Sequence, residues 1–469
     1  MVLLVLSASL PEARAVRVGR NVNITGNIPR QVVEPAIAVD PRNPNIIVAG
    51  AEDRRLVPPG GCPGSSGCHT WGGYYRSTDG GVTWSSSLLP GFPGDTSPAG
   101  STSPLRLFDH IGHESVVFDR AGNVYYSGFV VKLDDSGSFI SSSMRIAVTK
   151  FANDGADFVG TTVLSSGPGI LPRMTVDTSG GPNDGNVYVT FLDSESLGYK
   201  ELFTRSTDGG QTFSKPIPIP GSGLPVAPTV DPAGNVFVES VHCTGNSLQC
   251  SSDASATILV NKSTDGGSTF DKSVVVAAIK APPDPLPGNP FFRDAFTGVS
   301  WDIAADANGV YTVWDDYGTG DSNVLFTKST DGGLTWSSPL RVNDVTQGQQ
   351  FFSRIAVSGG IISVIWYDSR LGQLSNGTIT SLDVFYSESR DGGSSFSTNV
   401  RVTSASFDPN LVNFGDFNIP FQFIGDRIGI AASATAVHPI WTDNRNGCDN
   451  IDPAFGCVDQ DIFTATIIP

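Results

Sequence analysis

Three arginines occupy the same position in three similar segments, "PRMTV", "SRIAV" and "DRIGI"; they are Arg173, Arg354 and Arg427. Each precedes an alternation of apolar residues that is typical of a strand. A guanidinium group offers paired, planar donors to a carboxylate or a phosphate, so three converging arginines would form an anion-binding site. The alternative is that each arginine pairs with a local acid, for example Asp302 or Asp426.

Residues suited to acid–base chemistry occur in a second segment, "DHIGHE". It brings together Asp109, His110, His113 and Glu114, which could supply acid–base or metal chemistry. Two loops rich in carboxylates, "DDYGTGD" and "CDNIDPAFGCVDQD", suit a hard cation such as calcium, although their spacing is not that of an EF-hand. We expect no required cofactor and regard calcium as possible at these loops.

Aspartate and arginine also occur two residues apart after three apolar runs. These pairs are Asp53/Arg55, Asp368/Arg370 and Asp443/Arg445. Such a pair usually stabilises a turn, and less often it lines a groove for a sugar chain.

A repeated turn motif indicates the strands that must position these residues. Its first copy is "RSTDGGVTW". Its acidic position is filled by Asp79, Asn153, Asp208, Asp265, Asp331 and Asp391, at intervals of 55 to 74 residues. The carboxylate can accept N–H bonds within its own turn, a following glycine permits positive φ, and the final aromatic residue can pack between sheets. The motif therefore predicts hairpins, with a structural role for these residues.

Seven units of two predicted strands precede or follow these turns, so the units outnumber the turns by one. The seventh unit ends with the chain and lacks a fourth strand. The alternating stretch "VRVGRNVNIT", residues 16–25, is suited to supply it and to remove an exposed sheet edge. The sequence thus predicts an all-β fold, a single seven-bladed β-propeller of four-stranded blades spanning residues 16–469 and closed by an N-terminal strand.

The repeated turn resembles the Asp-box, or bacterial neuraminidase repeat, of sialidase-type propellers. The resemblance implies that Arg173, Arg354 and Arg427 match the arginine triad that holds a substrate carboxylate in sialidases. It also makes Glu114, Tyr367 and Asp53 the candidates for catalytic positions. The chain departs from the family in having "EPAIAV" where sialidases carry a Phe-Arg-Ile-Pro motif, and in having seven blades rather than six.

Charge and cysteine content indicate the environment of the protein. A formal net charge of −17 without a basic cluster argues against a nucleic-acid surface. The six cysteines form close pairs, which predicts the disulfides Cys62–Cys68, Cys243–Cys250 and Cys448–Cys457. Zinc is the alternative, but the spacings are not those of a structural zinc site. Disulfides imply an extracellular or cell-surface location.

The first residues, "MVLLVLSASLPEARA", are apolar and signal-like, but no basic residue precedes the apolar run. Residues 1–15 are therefore a signal-like segment, a strand that docks on a neighbouring copy and makes a homopolymer, or a tail that folds back on its own blade. No later run is apolar enough to span a bilayer.

The function expected from the sequence is that of a secreted or cell-surface binding or assembly module. Its partners would be a glycan or an extracellular protein. The alternative is a sialidase-like glycoside hydrolase that acts on an anionic sugar.

Overall fold

The chain forms a ring of seven β-sheets in a computed structural model. The structure describes residues 15–469 except 27, 29, 58–68, 166, 194–199, 222, 244–254, 288, 290, 292, 294–300, 373, 375, 413–421, 449–450, 453–455 and 458. The innermost strands contact one another in chain order, and the seventh contacts the first. The predicted seven-bladed propeller is confirmed.

Each blade is numbered from the N-terminus and begins with the strand that lines the central channel. These inner strands are Val32–Val39, His110–Phe118, Gly169–Val176, Leu224–Val230, Trp301–Asp306, Gln350–Ser358 and Gly429–Ala432. The second strands are Ile47–Asp53, Val124–Val131, Val187–Asp193, Val236–Cys243, Gly309–Asp316, Ile361–Asp368 and Val437–Asp443.

The third strands are Trp71–Ser77, Arg145–Ala152, Lys200–Ser206, Ser255–Ser263, Asn323–Ser329, Asp383–Ser389 and Asp461–Thr464. The outermost strands of blades 1 to 6 are Ser85–Leu88, Asp157–Val163, Ile217–Pro218, Val274–Lys280, Leu340–Arg341 and Val400–Arg401. A small hairpin pairs Ile451–Asp452 with Gly456–Cys457, and the short helices are Pro98–Thr102, Pro104–Leu107 and Ser141–Ser143.

Blade 7 is completed by both ends of the chain. The strand Val22–Asn23 pairs with Asp461–Thr464, and Arg17–Val18 pairs with Ile467–Ile468. The predicted closure by residues 16–25 is therefore confirmed. Residues 1–14 lie outside the described part of the chain, so their predicted docking stays a prediction. The helices in the described part lack the length or the apolarity needed to cross a membrane.

The core lies between neighbouring blades because the β-branched and aromatic side chains of each sheet face both of its neighbours. Tyr188 and Phe203 of blade 3, for example, pack with Val236 and Val238 of blade 4. The ring of Phe270, which ends the repeated turn of blade 4, meets Phe203 edge-on with 4.8 Å between ring centroids. Burial of such rings is the main favourable contribution to blade packing.

The repeated turns have the hydrogen bonds expected of them. In blade 3, Asp208 accepts the Thr212 amide at 2.9 Å and the Thr212 hydroxyl at 2.6 Å, and the Ser206 hydroxyl at 2.7 Å. The adjacent Gly209 and Gly210 have φ of 70° and 84°, which residues with a Cβ rarely adopt. The turn is thus locked by its own side chains.

A second contact explains the basic residue that begins most copies of the motif. Lys150 of blade 2 donates to the Gly209 carbonyl of blade 3 at 3.2 Å, and Lys328 of blade 5 donates to the Gly392 carbonyl of blade 6 at 2.6 Å. Blade 6 has Glu388 at this position, and blade 7 has no such turn to receive a donor. The motif therefore fastens blades 2 and 5 to the blades that follow them.

The cysteine predictions have a mixed outcome within the described residues. Cys448 and Cys457 form a disulfide with 4.5 Å between Cα atoms, as predicted. Cys243 is also disulfide-bonded. Its expected partner Cys250, and the predicted pair Cys62 and Cys68, lie outside the described residues.

We predict that Lys328→Met lowers the free energy of unfolding by about 1 kcal/mol, because the Gly392 carbonyl loses a charged donor from the neighbouring blade. Thermal unfolding followed by circular dichroism measures the change. The control is Lys215→Met, which alters an exposed lysine in blade 3. Equal unfolding temperatures for the two variants would contradict the fastening role.

Candidate functional site

The inner strands share a β-bulge close to the end of the channel that lies opposite the repeated turns. The strand register shifts there in blades 1, 2, 3, 4 and 6. In four of these blades a residue with positive φ lies at the shift: Glu34 at 60°, His113 at 57°, Leu171 at 54° and Phe352 at 57°. Residues other than glycine are strained in this region. A bulge redirects the side chains beside it, and the alternating pattern of the inner strands does not predict these bulges.

Two residues after each bulge comes the position that the arginines share. Arg173 pairs with Thr190 and Arg354 pairs with Ile365, each on the second strand of its blade. Asp302 holds the equivalent register in blade 5, and Ala36, Ser115 and Ala227 hold it in blades 1, 2 and 4. These positions form one ring around the channel, which we call the mouth ring.

Arg427 lies two residues before the inner strand of blade 7, at the matching position of the sequence, and we count it as the seventh member of the mouth ring. The protein itself neutralises this arginine. Its Nε lies 2.5 Å from Asp426 Oδ1, and its Nη2 lies 3.5 Å from Glu34 Oε2 and 2.6 Å from His113 Nδ1. Its Nη1 donates to the Glu114 carbonyl at 3.3 Å. The side chain is buried, so these contacts offset the cost of removing the charge from water.

The same cluster has a donor set that could hold a metal ion. One ligand atom each from Glu34, His113 and Asp426 lies within 4.8 Å of the others. The guanidinium of Arg427 contacts all three, so a metal ion would meet an adjacent fixed positive charge. Burial alone would lower the pKa of His113, but the two carboxylates raise it to about 10. His113 is therefore protonated at neutral pH, and both it and Arg427 carry positive charge in this cluster, which disfavours a metal ion there.

Arg173 is in a different state. Its guanidinium has no hydrogen-bond acceptor within the described part of the chain, and the side chain is half-buried. Burial and the like charges of Arg427 and Arg354 lower its pKa, although a guanidinium remains charged at neutral pH. Arg354 donates to the Ile428 carbonyl at 3.1 Å and to the Ser353 carbonyl at 3.2 Å.

Two buried glutamates lie near these arginines. Burial raises the pKa of Glu114 to about 8, and the negative charge of Glu34 adds to the effect. Burial likewise raises the pKa of Glu239 to about 8, against a hydrogen bond from the Thr312 hydroxyl. Both carboxyls are thus largely protonated at neutral pH. Glu239 was not singled out from the sequence, although an acid within an apolar second strand is a signal that could have found it.

The other catalytic candidates are engaged in structural contacts. Tyr367 is buried and donates to the Thr442 carbonyl at 2.8 Å, and burial raises its pKa well above the usual value. Asp53 is buried and accepts the Tyr75 hydroxyl at 2.6 Å as well as the Arg55 guanidinium. The polar atoms of Tyr367 and Asp53 are thus used in these structural hydrogen bonds.

The three Asp/Arg pairs adopt the turn-stabilising arrangement. In each pair the aspartate accepts the amide and the guanidinium of the arginine two residues on. The arginines also contact aromatic rings, with Arg370 4.1 Å from the Phe385 centroid and Arg445 4.3 Å from the Phe463 centroid. These contacts tie the end of a second strand to the third strand beside it.

The remaining sequence clusters are divided by the fold. Within "DHIGHE", His110 packs against Phe129 and Phe139, whereas His113 joins the Arg427 cluster. Burial lowers the pKa of His110 to about 3, so it stays neutral.

The loop "DDYGTGD" uses its carboxylates on protein donors. Asp315 accepts the amides of Phe352 and Ser353, which fixes the bulge of blade 6. In the second carboxylate loop, residues 449–450, 453–455 and 458 lie outside the described part of the chain, and calcium stays a prediction for both loops.

Comparisons with known proteins give distant similarities. No family model and no curated protein matches the chain. Among solved structures, a protein of unknown function from Dyadobacter fermentans is 13% identical, with a TM-score of 0.48 over 97% of this chain and 99% of that one. A leech intramolecular trans-sialidase is 12% identical, with a TM-score of 0.45 over 74% and 67%. An α-L-arabinofuranosidase from Fusarium graminearum is 14% identical, with a TM-score of 0.47 over 82% and 98%. These values assign neither a family nor an activity.

We predict that Glu114→Gln changes the pH dependence of stability. The folded pKa of about 8 exceeds the ordinary value of 4.5, so the stabilisation by the bound proton is complete below pH 4.5 and is lost as pH rises to 8. The variant needs no proton, so its advantage over the parent grows between pH 5 and pH 9, by on the order of a few kcal/mol. Urea unfolding at both pH values measures it. Exposed Asp157→Asn is the control, and a constant difference would refute the prediction.

Proposed function

We propose that this chain is a secreted glycan-binding β-propeller whose channel mouth binds an anionic sugar through Arg173. The observation that carries the proposal is the half-buried guanidinium of Arg173, which lacks an acceptor within the described residues. A partly desolvated charge without a partner is costly. A ligand carboxylate would supply two acceptors in the geometry that a guanidinium prefers.

The charge distribution supports an anion rather than a cation at this position. The whole chain carries a formal net charge of −17, yet the mouth ring contains three arginines and one aspartate. Asp426 and Glu34 contact Arg427, whereas the guanidinium of Arg173 has no acceptor within the described residues. A local positive site in a concave, low-dielectric setting concentrates anions.

A sugar is the first ligand class to test because of the repeated turn. We propose that the six turns are Asp-boxes, which the sequence resembles and which occur in sialidase-type propellers. The resemblance to sialidases suggests acidic sugars as ligands. The carboxylate of such a sugar can accept hydrogen bonds from the guanidinium of Arg173. Fold alone does not select a function, so the arginine must be tested directly.

The contacts favour binding over catalysis. Asp53 and Tyr367 are used in buried structural bonds, and Glu114 is fully buried below the mouth ring. The second candidate is a sialidase-like glycoside hydrolase. One observation favours it, since a carboxyl that holds its proton at neutral pH, as Glu114 does, has the property of a general acid.

We predict that Arg173→Gln weakens binding of an acidic sugar at least tenfold, because a charge-assisted, bidentate contact is lost. Calorimetric titration with D-glucuronate and N-acetylneuraminate measures the affinity. The matched control, Arg120→Gln, removes an exposed arginine near the opposite end of the channel. Absence of binding to the parent protein would sink the binding proposal. Release of sugar from a sialoside that disappears in Arg354→Ala would favour the hydrolase instead.

Secretion and self-assembly are further proposals. The Cys448–Cys457 disulfide supports an oxidising compartment. Arg17–Val18 lies at the outer edge of blade 7, and we propose that the residues before it dock on a neighbouring copy. We predict that deleting residues 1–12 converts larger particles to monomers, as measured by light scattering. An unchanged particle size would end the assembly proposal.

A further inference from the structure

Asp302 is the one acid in the mouth ring among the described positions that share this register. Blade 5 places it beside Arg354 of blade 6 and two blades from Arg173 of blade 3. Both arginines lie close enough for their charges to act on its carboxylate. The carboxyl group of Asp302 therefore lies within electrostatic range of the arginine that would bind an anion.

The carboxylate of Asp302 is held by backbone groups rather than used on an arginine. Its Oδ1 accepts the amide of Ile303 at 3.1 Å, and its Oδ2 accepts the amide of Ile355 at 3.1 Å. A carboxylate offers about four acceptor positions, so about two remain after these bonds. The side chain is half-buried, which leaves it reachable from the channel.

We infer that Asp302 is a specificity-determining residue of the mouth, which favours a carboxylate ligand that carries a hydroxyl or amide donor close to its charge. This inference rests on the proposed binding function and names its ligand class. A bare anion is attracted by Arg173 but repelled by Asp302. A sugar acid is attracted by the same arginine and also donates a hydrogen bond to the free acceptor positions of Asp302, which a simple anion cannot do.

The arrangement differs from that of Arg427, where acid and arginine neutralise each other. Asp426 contacts the Arg427 guanidinium at 2.5 Å, and little capacity remains for a ligand. Asp302 instead takes both of its hydrogen bonds within the described residues from the backbone. The mouth thus presents a donor, Arg173, and an acceptor, Asp302, to the same channel.

The test compares three probes, D-glucuronate, acetate and sulfate, on the full chain by calorimetric titration. The parent protein is expected to bind D-glucuronate at least tenfold more tightly than acetate or sulfate. In Asp302→Asn the affinity for acetate and sulfate rises about fivefold, because a like charge is removed. The ratio of the affinity for D-glucuronate to the affinity for acetate or sulfate therefore falls. The control Asp157→Asn makes the same change of net charge at an exposed site of blade 2 and leaves all three affinities unchanged.

Failure of this inference is distinguishable from failure of the proposed function. If the parent binds D-glucuronate and Asp302→Asn keeps the same preference, the role of Asp302 is overturned while the anion site stands. If the parent binds none of the probes, the proposed function falls and the inference falls with it. If Asp302→Asn does not fold, Asp302→Ser is the second variant, because its hydroxyl can still accept the Ile355 amide. It is expected to lower the preference for D-glucuronate over acetate and sulfate in the same way. An unchanged preference overturns the inference.

Discussion

Closure of the ring is the constraint on which both the fold and the mouth depend. Blade 7 exists only because Val22–Asn23 pairs with Asp461–Thr464, so the two ends of the chain must meet before the seventh sheet is complete. The inner strand of blade 7 then contacts that of blade 1. This adjacency brings Glu34, His113 and Arg427 together from three blades. An open ring would remove the contacts of Arg427 with Glu34 and His113 and leave it paired with its sequence neighbour Asp426.

The fastening between blades explains how a ring built from weak repeats becomes cooperative. Each blade buries apolar surface only against its neighbours, and the basic residue of one hairpin donates to the turn of the next, as Arg205 does to the Gly266 carbonyl at 2.5 Å. The seam between blades 7 and 1 uses Thr466, whose hydroxyl donates to the Gly80 carbonyl at 3.2 Å. The other interfaces join blades that follow one another in the chain, whereas the interface between blades 7 and 1 joins the two ends of the chain.

The outer edges of the blades show how the same scaffold avoids unwanted pairing. The outer strands of blades 3, 5 and 6 are two residues long, whereas Asp157–Val163 and Val274–Lys280 are longer. The strand pairing of both long strands is interrupted by a bulge, and the first of them is covered by the short helices at residues 98–107. Short, bulged or covered edges resist addition of strands from other chains.

The sequence by itself determined the number of blades, the closing strand and the repeated turns, because period-two alternation and Asx-turn chemistry act within a few residues. It also placed Arg173, Arg354 and Arg427 in one register. Asp426, the sequence neighbour of Arg427, could be named as its partner from the sequence. Only the tertiary structure decided that Glu34 and His113 join this pair, because they come from blades 1 and 2 and lie at bulges. A bulge depends on the amides opposite it, as at the blade 6 bulge that Asp315 fixes, and such long-range partners leave no periodic mark in a sequence.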